Sequence, residues 1–120
     1  MNKRHVNELI EKEFATAAHA RSIGNDGMVR VCARRAAGVA ISFWLESHPR
    51  EGWGVNAMNQ LRAIQDEPSM PDNVKEAAGR LAAKITESFA SPFRQDPLND
   101  SRTIIDYLLA QTDNPEQSGS

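Results

Sequence analysis

Residues 28–46 read MVRVCARRAAGVAISFWLE, and this stretch decides the fold. Wound at 100° per residue, Val29, Cys32, Ala36, Val39, Ala40 and Phe43 fall on one face, as an amphipathic helix requires. Val31, Ile41 and Leu45 fall on a second flank, between the direction of Arg30 and Arg34 and that of Gly38. A helix over about residues 27–46 with two apolar flanks is either central in its bundle or shared with a partner subunit. Its alanines and Gly38 allow close backbone approach, which suits a tight helix pair.

Working outward, about residues 3–23 place Val6, Leu9, Ile10, Phe14, Ala17 and Ala18 at steps of three and four, the pattern of one amphipathic helix. Gly24-Asn25-Asp26-Gly27 breaks that pattern with turn-forming residues, and Asn25 or Asp26 can cap the helix that follows. The two helices therefore form a hairpin. Downstream, Ser47–Gly54 is a loop by its Pro49, Gly52 and Gly54, with Trp53 folded back onto the body. Val55, Met58, Leu61 and Ile64 mark the inner side of a short third helix, which Pro68 to Pro71 ends. Ser69 as a cap, Pro71 and Asp72 open a fourth, whose inner side is Val74, Ala78, Leu81, Ile85 and Phe89. Residues 90–99 hold two prolines and read as a loop, after which Asp100 caps a last helix carrying Ile104, Ile105, Leu108 and Leu109. No run alternates with period two. The expected architecture is an all-α, five-helix, mostly antiparallel up-and-down bundle over residues 1–110, with 111–120 a flexible tail.

Composition agrees with one small domain. The 120 residues are 40% hydrophobic and 25% charged, with mean hydropathy −0.53, which excludes the disordered, fibrous and membrane-spanning classes. A single cysteine, Cys32, excludes an internal disulfide and a cysteine-based zinc site. The N-terminal stretch lacks the unbroken apolar run of a secretory signal, so a cytoplasmic location is expected, with the thiol reduced.

With 14 basic and 16 acidic residues the formal charge is −2, so any polyanion contact must rest on a patch. The one basic cluster lies in residues 21–35, where Arg21, Arg30, Arg34 and Arg35 face Asp26 alone. Arg30 and Arg34, four apart, can reach one phosphate or one acidic partner together, whereas Arg35 points about 100° away. All three can equally be solvated, or paired with Glu46 and the acidic first helix. His48, in a turn with Arg50 and Trp53, could serve as an acid or base given a second group from elsewhere, or lie on the surface as a cap. His5 and His19 stand in no metal-ligand spacing, and Cys32 on the core face reads as a small buried hydrophobe rather than a nucleophile. No metal or other cofactor is expected.

The order of elements, with the Ala-rich helix ARRAAGVAISFWL, the short helix with LRAI, the helix opened by Pro71 and the proline-containing loop before the last helix, resembles the HEPN superfamily over about residues 5–110. The resemblance implies a four- or five-helix bundle, frequent homodimers packed along the later helices and, in many members, metal-independent RNA cleavage by an Arg followed after four to six residues by a His. No such pair exists here: no arginine precedes His5, His19 or His48 at that spacing, and Arg94 has no histidine after it. The resemblance thus implies a non-catalytic member. The leading expectation is a non-enzymatic bundle, a homodimer through Val31, Ile41 and Leu45 or the partner of a separately encoded protein. The alternative is an RNA or nucleotide binder through Arg30, Arg34 and Arg35, and RNA cleavage comes last.

Overall fold

A computed structural model describes residues 1–83 and 96–112. They form five helices and no strand: α1 (Lys3–Ser22), α2 (Asp26–Ser47), α3 (Ala57–Gln65), α4 (Asp72–Ala82) and α5 (Pro97–Thr112). The architecture is the expected all-α bundle.

Three helices start on asparagine caps. Asn2, Asn25 and Asn56 each accept, through the side-chain oxygen, the amide three residues on, at 2.8, 3.0 and 3.1 Å. Each bond satisfies one of the amides that a helix start leaves without a partner. The α1–α2 turn closes through Gly24 at φ 76°, a conformation open to glycine at no steric cost.

α2 is the central rod. It packs against α1, α3, α4 and α5, which accounts for its two apolar flanks. Ala33, Ala36, Ala37, Ala40 and Ile41 are buried together with Trp44, and Ile10, Leu61, Ile64, Leu81, Ile104, Ile105 and Leu108 fill the space around them. Burial of each such large aliphatic side chain stabilises the fold by about 1.5–3 kcal/mol. α1 runs antiparallel to α2, with Glu13 beside Arg35, and antiparallel to α5, where Lys3 Nζ donates to the Leu109 carbonyl and Arg21 pairs with Asp96. α2 and α5 are consequently parallel, and Ser101 Oγ, fully buried, donates to the Ala33 carbonyl at 2.8 Å.

Several boundaries differ from expectation. Pro71, not Ser69, occupies the cap position of α4; Ser69 instead donates its hydroxyl to Glu67 at 2.7 Å. α4 ends at Ala82, with Ala83 extended, and Ile85 and Phe89 lie outside the described residues, as does Arg94. α5 starts three residues before Asp100, because Pro97 lacks the amide that a first helical residue would leave unbonded, and Asp96 Oδ1 accepts the Leu98 amide at 3.0 Å. α5 also runs to Thr112, two residues past the expected domain end. Val55 precedes α3 and is 93% exposed rather than inward. Among the described residues no helix is long and apolar enough to cross a membrane.

Candidate functional site

Arg30 and Arg34 do converge on one negative pole, as their spacing predicts, but that pole is the end of α4. Arg30 Nη2 donates to the carbonyls of Arg80 and Ala83, while Arg34 donates through Nε to Leu81 at 2.7 Å and through Nη2 to Ala83 at 3.1 Å. Helix ends leave four carbonyls without intrahelical donors, and the macrodipole makes that end attractive to cations. The two arginines therefore brace α4 against α2. Arg30 is 5% exposed and its Nε has no partner among the described residues. Burial pulls both guanidinium pKa values down, and for Arg34 the neighbouring Arg30 charge adds to the effect. Arg80 stands in the same cluster and grips Asp100, with Nη2 to Oδ1 at 2.9 Å and Nε at 3.1 Å from both oxygens. Asp100 is thus a buried countercharge inside α5 and not a cap.

Arg35, the third member of the trio, is exposed and has a different neighbour. Its Nε donates to Glu13 Oε2 at 3.2 Å, and neither Nη is bonded within the described residues. This pair borders an open cleft of about 350 Å³ between α1, α2 and the start of α3, lined by Met1, Glu13, Arg35, Gly38, Val39, Ser42, Val55 and Ala57. Gly38 lets α3 approach closely here: a Cβ at that position would lie 3.0 Å from Ala57 Cβ. Beneath the cleft Gln60, wholly buried, donates Nε2 to Ser42 Oγ at 3.1 Å and to the Gly54 carbonyl at 2.9 Å. Its Oε1 has no partner among the described residues and lies near Gly38.

The residues expected to face a partner subunit divide. Ile41 is fully buried within the chain's own core, which corrects its placement on an interface. Leu45 is half-buried against the core and Val31 is half-buried.

His48 stacks on Trp44, with centroids 4.7 Å apart and planes within 3°. Its Nδ1 contacts Ser47 Oγ at 3.0 Å and the Trp44 carbonyl at 3.3 Å, so it finishes α2. Trp53 is folded back as expected, against Trp44. Arg50 lies over the Trp44 ring and makes a two-pronged pair with Glu67, at 2.9 and 3.3 Å. That guanidinium, with the Ser69 hydroxyl, holds the Glu67 carboxyl down at about 2. Cys32 is buried, and burial with Glu13 nearby pushes its thiol pKa up, the reverse of what a nucleophile needs. Among the described residues no three His, Cys, Asp or Glu side chains are grouped to hold a metal ion.

Sequence reasoning missed Gln60, Ser42 and the Arg80–Asp100 pair. Gln60 was within reach, since it sits between Ala57, Leu61 and Ile64 on the inner face, where a glutamine must find buried partners. The chain matches no protein-family model, no curated protein and no solved structure.

Proposed function

We propose that this chain is a non-catalytic helical bundle that works by association with another protein, a second copy of itself being the first partner to test, and that it does so in the cytoplasm. The observation that carries the reading is Val55. Gly52 and Gly54, at φ 83° and 66°, flank the anchored Trp53 and set the next residue, a β-branched aliphatic, 93% in solvent at the rim of the cleft. A side chain of that kind, held on a fixed loop beside Val39 and Ala57, suits contact with a partner's apolar group. The helix order that resembles HEPN bundles supports the same reading, and the missing Arg–His pair supports a non-catalytic role.

Binding of RNA or a nucleotide has less support, because Arg30 and Arg34 donate to α4 carbonyls and Arg35 is the exposed member of the trio. Sedimentation from micromolar to millimolar concentration tests the leading reading. The expected result is a mass that rises with concentration in the wild type and stays monomeric in Val55→Asp, with equal helicity in both. A wild type that is monomeric throughout ends the self-association reading.

A further inference from the structure

We propose that the cleft beside Gly38 is a binding site for a carboxylate carried on a short aliphatic group, the chemistry of a peptide chain end or of a small branched acid. This rests on the reading of that face as the binding face and names what it recognises.

Three hydrogen-bond donors of independent origin border the cleft. Arg35 is held by Glu13 through Nε alone, so its two Nη groups, the prongs that grip a carboxylate side by side, are open. Ser42 Oγ accepts from the buried Gln60 and bonds no acceptor among the described residues, so its own proton is available. At the start of α3, Asn56 bonds the Asn59 and Gln60 amides, and the amide of Ala57, which lines the cleft at the positive end of the helix dipole, has no acceptor among the described residues.

The acceptors are engaged or closed. Glu13 Oε2 is on Arg35 and its Oε1 is buried, with no hydrogen-bond partner among the described residues. The charges at the cleft are paired, Arg35 with Glu13 and the Met1 ammonium with Glu46, so the site tolerates a monoanion better than a dianion such as phosphate. Val39, Val55 and Ala57 supply apolar wall for an aliphatic group next to the charge.

The test is an amide chemical-shift titration of the full chain at neutral pH with three separate probes: isovalerate, an N-acetyl dipeptide ending in valine, and inorganic phosphate. Saturable shifts at Arg35, Gly38, Ser42 and Ala57 with a carboxylate probe are expected, phosphate binding more weakly. Arg35→Gln should weaken binding about tenfold, the loss of a charge-assisted bond, and Arg35→Lys should recover part of it. Arg35 is more than half exposed, so both variants should keep the wild-type spectrum elsewhere. A dipeptide that binds tighter than isovalerate assigns the site to a chain end, and equal affinities assign it to a free acid. No saturable shift with either carboxylate, phosphate binding as well as both, or affinity unchanged in Arg35→Gln each overturns the proposal. Sedimentation reads the association separately, so a failed titration and a failed association are told apart.

Discussion

Replacing Asp100 by Asn should be among the most damaging single-atom-scale changes in the molecule. Asp100 is 4% exposed and bonds the Arg80 guanidinium with the Arg30 charge also acting on it, while Arg30 and Arg34 donate to backbone carbonyls. Removing one partner of a buried ion pair costs about 3–5 kcal/mol, because the other charge stays desolvated. The Arg80 side chain keeps 22% exposure, so water recovers part of its hydration and the figure falls to about 2–3 kcal/mol. For a domain of this length that is a drop in Tm of roughly 10 °C. Urea and thermal unfolding followed by helical circular dichroism measure it directly. The double variant Arg80→Met/Asp100→Leu, which removes both charges, should recover most of the loss, since apolar replacements of a buried pair are often neutral. A loss below about 1 kcal/mol for Asp100→Asn, or a double variant as unstable as the sum of its single changes, would refute the reasoning.

The Arg50–Glu67 pair predicts a pH dependence. Its carboxyl pKa is depressed from 4.5 to about 2, so the stability it contributes is present above the unfolded value and is lost as pH falls through about 2. Acid titrations of the wild type and Glu67→Gln should diverge above pH 4.5 and converge near 2. The helical glycines should respond in opposite directions. A Cβ at Gly79 meets only Gln65 Oε1, the end of a flexible exposed side chain, so Gly79→Ala should stabilise by about 0.5–1 kcal/mol. At Gly38 the neighbour is Ala57 Cβ with the Ala57 Cα behind it, which cannot swing away, so Gly38→Val should destabilise by about 1–3 kcal/mol. Both are read from urea midpoints. Arg34→Met should loosen the end of α4 while leaving α1 intact, seen as faster amide hydrogen exchange over Ala78–Ala82 than over Ile10–Ala17.

Much of the fold is legible in the sequence because helical period reports burial directly. The apolar steps of α1 and the two flanks of α2 lead straight to a hairpin with a central second rod. Ile41 shows where such reading stops: period marks an apolar flank, but whether another helix or another subunit covers it depends on how α3, α4 and α5 return. The arginines show a second stop. Spacing predicts that Arg30 and Arg34 act together, yet their acceptors are backbone carbonyls, which every residue carries and no sequence pattern distinguishes. Asp100 is misread for a related reason, since a proline that is taken to end a helix is well suited to begin one, as Pro97 does. Val55 fits the apolar period of α3 only if the helix is run back through its asparagine cap.

Arg34 and Arg35 are adjacent in the chain and identical in chemistry, and they do different things because 100° of helix separates them. Across from Arg34 lies the open end of α4, whose unbonded carbonyls take the guanidinium and tie it to the fold. Across from Arg35 lies α1, which offers one carboxylate and leaves both Nη groups beside a cleft. A cationic side chain is structural where the fold brings it acceptors and available for binding where the fold brings too few. By that criterion the basic cluster of this chain is not one patch but two devices back to back on α2: a brace at the end of α4, and a set of open donors beside Gly38.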